Sequence, residues 1–260
     1  MPSLPLIAVD IGNSSSKFAL FSFDRESCAQ ETLPEPEWVE QIEPAAELSQ
    51  DLVQSLPTSA RWSIASVQRE GQRKLIAWLQ EHRPRDARQL LSYRDMALAI
   101  RVEQAERVGI DRLAAAIAVN VLRDPDRPAI VVCAGSAVTI NLIAADGGFE
   151  GGAILPGFRM GARALAGADQ LPDVLLLPHE PPAVLGKNTE AAIRSGLFWG
   201  AVGAVREIVE RYGEEHRRLQ VFVTGGDLQR LAPLVSADAR FVPNLVLAGI
   251  AIAARQGFQG

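Results

Sequence analysis

The chain begins with two short apolar runs separated by a small polar loop. Leu6–Val9 is apolar, Asp10 ends that run, and Phe18–Phe23 forms a second run. Short apolar runs bounded by turn residues are typical of buried strands. Gly12 and Asn13, in the loop between them, suit a turn that needs positive φ. The pattern predicts a buried β-hairpin.

The same pattern returns in the second half of the chain. Ala129–Val132 and Val138–Ala144 are apolar, and the small-residue turn Cys133–Ala137 lies between them. Placing Cys133 over Asp10 gives an offset of 133 − 10 = 123 residues, close to half of the 260-residue chain. The repeat predicts two halves of similar fold that face each other across a cleft.

Other stretches predict helices, strands and loops in alternation, which indicates an α/β fold. The Pro- and Asp-rich cluster Asp124–Pro128 is the expected boundary between a domain at 1–123 and a domain at 124–260. The stretches Asp24–Pro44 and Pro172–Pro182 are expected to be loops, and the arginine-rich residues 85–108 a solvated face. Helices are expected at Ala45–Leu56, Lys74–His82, Leu113–Leu122, Phe158–Gly167, Glu190–Tyr212 and Leu245–Ala254, and strands at Arg61–Val67 and Leu219–Val223.

Composition excludes several classes of function. A net charge of -5 without a long basic run argues against nucleic acid as a partner. Two cysteines suit a reducing cytosol, and three scattered histidines argue against a zinc site. The N-terminal apolar run lacks a basic region before it and is interrupted by Asp10, so neither a signal peptide nor a membrane span is expected.

The first loop is the strongest candidate for chemistry. It holds three hydroxyls, Lys17 and several backbone N–H groups, and such a loop cradles phosphate. Asp10, at the end of the preceding strand, is placed to hold a cation beside that phosphate, directly or through water. An ordinary polar hairpin turn explains the same residues. The strand that follows the loop, in place of a helix, excludes a Walker loop.

Two further places hold candidate site residues. Asp111 lies at the start of the most apolar helix, where it either caps the helix or stands as a carboxylate at the edge of a cleft. The turn Thr224–Asp227 follows a predicted strand, and nucleotides bind at the carboxyl ends of strands in α/β folds.

In their order and spacing, these pieces resemble type III pantothenate kinase, a family of the acetate-and-sugar-kinase, chaperone-ATPase and actin superfamily. The resemblance runs nearly end to end. The stretches that carry it are Asp10-Ile11-Gly12-Asn13 with Lys17, Gly109-Ile110-Asp111-Arg112, Gly151–Gly157, Gly186-Lys187-Asn188-Thr189, Thr224-Gly225-Gly226 and Pro243–Gly249.

The resemblance implies two actin-like ATPase domains of the ribonuclease H-like fold, facing across a nucleotide cleft. The first phosphate loop would lie in 1–123, and the second phosphate loop and the adenosine loop in 124–260. The implied reaction is ATP-dependent phosphorylation of pantothenate to 4'-phosphopantothenate, the first step of coenzyme A synthesis. The implied protein is a cytoplasmic homodimer with its pantothenate pocket near the subunit interface.

The resemblance also implies roles for residues. Asp111 would be the proton acceptor, and Asp10 would support magnesium and the phosphates. Pantothenate would be bound by Gly109, Ile110, Asp111, Arg112 and Thr189. ATP would be bound by Asp10, Ile11, Gly12, Asn13, Ser14, Ser15, Ser16, Lys17, Gly135, Ser136, Gly225 and Gly226.

Some positions depart from the family pattern. Cys133 and Asn141 stand where the resemblance implies two carboxylates, one of which helps to hold potassium or ammonium, so a monovalent-cation site is not expected to survive intact. Val102 replaces a frequent tyrosine, and Gln104-Ala105 an Asn-Pro pair. Two alternatives therefore stay open: a non-catalytic nucleotide-binding relative of the same fold, and a kinase for another small alcohol.

Overall fold

The computed structural model describes residues 4–23, 32–43, 46–167, 171–172, 174, 180–216, 218–226 and 232–257. Its contacts divide the chain into a first unit, Met1–Leu122 with Asn244–Gly260, and a second unit, Arg123–Pro243. The break at residue 123 lies beside the predicted boundary. The C-terminal segment differs from the prediction of a 124–260 domain, because the last helix packs with the first unit.

The first unit is built on a five-stranded sheet in the order β3-β2-β1-β4-β5. The central strand β1 pairs antiparallel with β2 and parallel with β4, so the predicted first hairpin is present. The strands are β1 (Leu6–Ile11), β2 (Ser16–Phe21), β3 (Trp38–Ile42), β4 (Arg61–Ser66) and β5 (Ala87–Leu90).

Two strands of this sheet were not expected. The predicted loop Asp24–Pro44 contains β3, and the predicted solvated face at 85–108 contains β5; residues 24–31 and 44–45 lie outside the described residues. Both are short edge strands with largely exposed side chains. The period-2 alternation that marks a half-buried strand is therefore weak in them.

The second unit repeats the arrangement with the order β8-β7-β6-β9-β10. Here β6 is central, antiparallel to β7 and parallel to β9, as β1 is to β2 and β4. The strands are β6 (Ala129–Ala134), β7 (Ala137–Ile143), β8 (Phe149–Pro156), β9 (Gln220–Thr224) and β10 (Arg240–Phe241). The two halves that the sequence repeat predicts therefore share one sheet topology.

Helices cover the sheets of both units, and no helix among the described residues is long and apolar enough to cross a bilayer. They are α1 (Gln50–Ser55), α2 (Arg69–His82), α3 (Ile110–Leu122), α4 (Phe158–Ala166), α5 (Thr189–Glu215), α6 (Ala232–Val235) and α7 (Leu245–Gly257), with short 3-10 helices at Tyr93–Asp95 and Ala105–Arg107. Most of the predicted loop Pro172–Pro182 lies outside the described residues.

The two faces of the first sheet pack against different helices. Ile7, Val9 and Ile11 form a core with Leu52 of α1 and Leu79 of α2. Side chains alternate along a strand, so the opposite face of β1 carries the residues at even positions. Helix α7 packs on β1, β2 and β4, and α3 packs extensively on α7. The even-numbered face of β1 therefore lies beneath the C-terminal helix.

Candidate active site

The end of strand β1 places a carboxylate between two neighbouring strands. Asp10 lies opposite Lys17 of β2 and beside Ala65 of β4 in the sheet register. Residues paired across an antiparallel ladder project from the same face, so Lys17 and Asp10 share the face covered by α7. The predicted cation holder and the predicted phosphate-binding lysine are thus neighbours.

The loop after Asp10 is closed by its own backbone. The Gly12 amide donates to the Ser15 carbonyl oxygen at 3.0 Å. A Cβ atom at Gly12 would lie 3.1 Å from that oxygen, so glycine suits this tight turn. Asn13 and Ser14 are exposed at the tip, whereas Ser16 is buried at the start of β2. The loop therefore offers an amide, hydroxyls and a lysine at one end of the sheet.

Asp111 reaches the same face from a helix. It lies in the first turn of α3, and its carboxylate accepts hydrogen bonds from its own amide and from that of Arg112. A Cβ atom at Gly109 would lie only 2.5 Å from Asp111 Oδ1, so glycine leaves the space that this carboxylate occupies. Burial raises the pKa of Asp111, against these hydrogen bonds and the Arg112 charge.

The two carboxylates interact electrostatically. The pKa of Asp10 is raised to about 7, first by burial and then by the Asp111 charge, and Lys17 opposes both effects. Two like charges in a poorly solvated place favour sharing a proton or binding a cation. The structure therefore brings together, within the first unit, three of the predicted site residues: Asp10, Lys17 and Asp111.

The second unit gathers another set of predicted residues. The β6–β7 turn consists of Gly135 and Ser136, and the Gly157 amide donates to the Ser136 carbonyl oxygen at 3.1 Å. Gly225 has a φ of 119° and packs against the Ala134 carbonyl, which leaves no room for a Cβ. Gly135, Ser136 and Gly225 thus lie together at one end of the second sheet, with Gly226 next in the chain.

The second hairpin lacks the charges of the first. Cys133 lies opposite Thr139 of β7 and beside Thr224 of β9. Asn141 is fully buried, and its Nδ2 donates to Thr139 Oγ1 at 3.2 Å. These side chains form a neutral polar row on one face of the sheet.

Thr189 lies apart from either turn in sequence, as the exposed first residue of α5. The Asn188 side chain accepts a hydrogen bond from the Ala191 amide at 2.8 Å and so caps the helix. The substrate contact implied for Thr189 stays a prediction.

The structure adds three residues that the sequence reasoning left without a role. Val67, just after β4, lies 3.7 Å from the Cβ position of Gly109. Gly157 supports the second turn, and Gly249 lies where α7 touches Ala114 of α3. Val67 could have been found from the rule that parallel strands end at one edge. The two glycines needed the tertiary contacts.

Comparison with known proteins decides the family. A family model described as type III pantothenate kinase matches residues 6–211. The type III pantothenate kinase of Rhodopirellula baltica is 33% identical over 92% of this chain and 95% of its own length. The chain belongs to the type III pantothenate kinase family. A further relative with this name, from Phenylobacterium zucineum, is 34% identical over 60% of each chain.

Membership of the type III pantothenate kinase family confirms the prediction of an ATP-using kinase. Solved structures share the fold at low identity. A Baf-family protein of Campylobacter jejuni matches with a TM-score of 0.60 and 20% identity over 98% of this chain and 100% of its own. The ethanolamine utilization protein EutJ of Carboxydothermus hydrogenoformans matches with a TM-score of 0.51 and 14% identity over 97% and 90%. The predicted α/β fold class is confirmed.

Proposed function

We propose that this chain transfers the γ-phosphoryl group of ATP to the primary hydroxyl of pantothenate, giving ADP and 4'-phosphopantothenate. The family model and the names of the relatives support this reaction over a non-catalytic nucleotide-binding role. The structural observation that carries the proposal is the Asp10–Asp111 pair beside the Gly12–Lys17 loop. Phosphoryl transfer needs positioning and charge stabilisation, and these groups offer both.

Asp111 is proposed as the proton acceptor. As the pantothenate hydroxyl oxygen bonds to the γ-phosphorus, the bond to the ADP oxygen breaks and the hydroxyl proton passes to the Asp111 carboxylate. The raised pKa of Asp111 makes that carboxylate a better base than an exposed aspartate. Hydrogen bonds from the Asp111 and Arg112 amides fix its orientation. Gly109, Ile110, Arg112 and Thr189 are proposed to bind pantothenate.

Asp10 is proposed to support magnesium, directly or through water. A carboxylate with its pKa raised to about 7 by burial and by Asp111 gains from a nearby cation, so the residues fit a hard divalent ion. When bound with ATP, magnesium neutralises phosphate charge. Lys17 and the loop from Gly12 to Ser16, with Ile11 before it, are proposed to contact the phosphates.

The turns of the second unit are proposed as further nucleotide contacts. The backbones of Gly135, Ser136, Gly225 and Gly226 lie at the end of β6 and β9, where open α/β sheets bind ligands. The neutral row of Cys133, Thr139 and Asn141 does not fit a potassium or ammonium ion that needs a carboxylate.

The chain is also proposed to work as a cytoplasmic homodimer. Helix α5 presents Gly196, Gly200 and Gly203 on a surface where added Cβ atoms would meet nothing within 4 Å in the described chain. Small residues at this spacing allow close approach of a partner helix. We expect an interface of roughly 2,000 Å² or more. Light scattering that reports a monomer at micromolar concentration would contradict the dimer.

A substrate panel tests the reaction. Purified protein is incubated with ATP, magnesium and pantothenate or other small alcohols, and ADP release and product mass are measured. We expect one phosphorylated product, from pantothenate. Turnover only with another alcohol would reassign the substrate. Nucleotide binding without turnover of any alcohol would point to a non-catalytic protein.

A further inference from the structure

The position of Asp111 depends on a helix that carries none of the proposed catalytic groups. Helix α7 lies on β1, β2 and β4, whereas α3 packs chiefly on α7. Asp10 belongs to β1 and Asp111 to α3. The separation of the two carboxylates is therefore set largely through α7, which comes from the end of the chain.

The crossing of α3 and α7 has no spare room. A Cβ atom at Gly249 would strike the Ala114 carbonyl oxygen, and would lie 2.5 Å from the carbonyl carbon and 3.0 Å from Cα of Ala114. Ala114 and its α3 neighbours Ala115 and Ala116 are fully buried, and so is Ala251 of α7. The clashing atoms belong to the backbone, so no rotamer change relieves the contact.

The contact lies close to Asp111. Ala114 follows Asp111 by three residues, and residues three apart share one face of a helix. At a rise of about 1.5 Å per residue, the two are about 4.5 Å apart along the axis. A displacement of α3 at Ala114 is therefore passed to Asp111 with little attenuation.

We propose that Gly249 is a positioning residue for phosphoryl transfer, because the close α3–α7 crossing that it permits holds the Asp111 carboxylate at the end of β1. This inference rests on the proposed function of Asp111. Carbon atoms in contact normally lie about 3.5–4.0 Å apart, so a methyl group at Gly249 separates the helices by about 1 Å. A misplacement of about 1 Å at a reacting group costs on the order of 10²-fold in rate.

The test compares Gly249→Ala with Gly213→Ala. Both place the same methyl group in a helix, but at Gly213, near the end of α5, the added Cβ would meet nothing within 4 Å. We expect Gly249→Ala to lower kcat per folded molecule by about 10²-fold, with its ATP dissociation constant within about twofold of the parent protein. Gly213→Ala should keep both values.

A second variant tests the proposal if Gly249→Ala does not fold. Ala114→Ser adds one atom at the fully buried α3 residue that Gly249 contacts, and we expect a smaller loss of kcat with unchanged ATP affinity. Circular dichroism gives the folded fraction at 10 °C. Parent-like kcat in folded Gly249→Ala, or in Ala114→Ser where the first variant does not fold, overturns the positioning role. An inactive parent protein instead overturns the proposed function.

Discussion

In the first hairpin Asp10 faces Lys17 across the β1–β2 ladder, whereas in the second hairpin Cys133 faces Thr139 across the β6–β7 ladder. The surrounding sheets have the same topology. Four residues, 12–15, connect the strands of the first hairpin, and two residues, Gly135 and Ser136, connect those of the second. The longer connection offers side-chain hydroxyl groups, and the shorter one offers mainly backbone N–H and C=O groups.

The difference separates what the fold requires from what the chemistry requires. Both central strands are filled with buried aliphatic residues, and continuous apolar runs of this kind are typical of strands buried on both faces. The fold does not need a charged residue, such as Asp10, at the end of the central strand. One hairpin keeps a carboxylate in a place where burial raises its pKa, while the other has a neutral row.

The largest effect is expected from removing the proposed base. Asp111→Asn should lower kcat by about 10²–10⁴-fold, since general bases contribute this much, and should leave ADP binding intact. Asp10→Asn should weaken magnesium–nucleotide binding as well as turnover. Steady-state kinetics and calorimetric titration with ADP distinguish the two variants.

The control for Asp111 is Asp51, an exposed aspartate in the first turn of α1. Asp51→Asn likewise removes a negative charge from the first turn of a helix, but should keep the parent kcat. If Asp111→Asn also turns over at the parent rate, Asp111 only caps the helix and is not the proton acceptor.

The next effect concerns the backbone of the second unit. Gly225→Ala adds a Cβ that strikes the Ala134 carbonyl, at a φ of 119° that side chains rarely adopt. We expect it to lower the free energy of unfolding by about 1–3 kcal/mol and to weaken nucleotide binding. Gly226→Ala meets nothing within 4 Å and should leave stability unchanged. Equal urea midpoints for the two variants would contradict the close packing of Gly225.

A smaller effect is the pH dependence of stability in the metal-free protein. The pKa of Asp10 is raised to about 7, so the folded state keeps a proton that the unfolded state loses from about pH 4 upward. The contribution of Asp10 to the free energy of unfolding therefore falls as the pH rises from about 4 toward 7. Asp10→Asn should raise Tm by a few degrees at pH 8, with a difference that shrinks toward pH 4.

Asp95 supplies a control of opposite sign. Burial acts to raise its pKa, but hydrogen bonds from the Ser92 side chain and backbone and from Gln89 outweigh this and hold the pKa below its usual range. Asp95→Asn should therefore lower Tm at pH 8, and less so as the carboxylate protonates in acid. Thermal melts in buffer with a chelator measure both. A Tm of Asp10→Asn below the parent at pH 8 would contradict the unfavourable burial of this carboxylate.

The hairpins could be predicted from sequence because their signal is local. Leu6–Ile11 and Ala129–Ala134 are apolar runs that end in turn residues, and Asp10 is the charged residue at the end of the first run. The edge strand Ala87–Leu90 could not be predicted in this way, because its exposed side chains give no alternation. It becomes a strand by pairing with β4, which is distant from it in the sequence.

The candidate site divides along the same line. Asp10, Lys17 and Asp111 could be proposed from motif order, but the mutual effect of two carboxylates on pKa depends on distance and burial. The proposed role of Gly249 is an example of what cannot be predicted from the sequence. Its importance rests on the Ala114 backbone, 135 positions earlier (249 − 114 = 135), and no local pattern contains that contact.

The smallest effect is expected from monovalent cations. Hard alkali ions prefer oxygen ligands to sulfur ligands. Cys133 is therefore a poor ligand, and Asn141 already donates a hydrogen bond to Thr139. We expect less than about a twofold change in kcat when potassium chloride replaces a bulky organic salt at constant ionic strength.

Cys133→Asp makes the comparison between the hairpins direct, because it restores to β6 the carboxylate that β1 has at Asp10. If the oxygen atoms around this position, including Thr139 and Thr224 in the paired strands, are still arranged for an ion, the variant should gain potassium-dependent activity and a potassium-dependent rise in Tm. Lys17 would then be the cation that offsets phosphate charge in the parent protein. A large, saturable activation of the parent by potassium would show instead that a neutral second hairpin binds the ion through its carbonyl and hydroxyl oxygens, and that the missing carboxylate is dispensable.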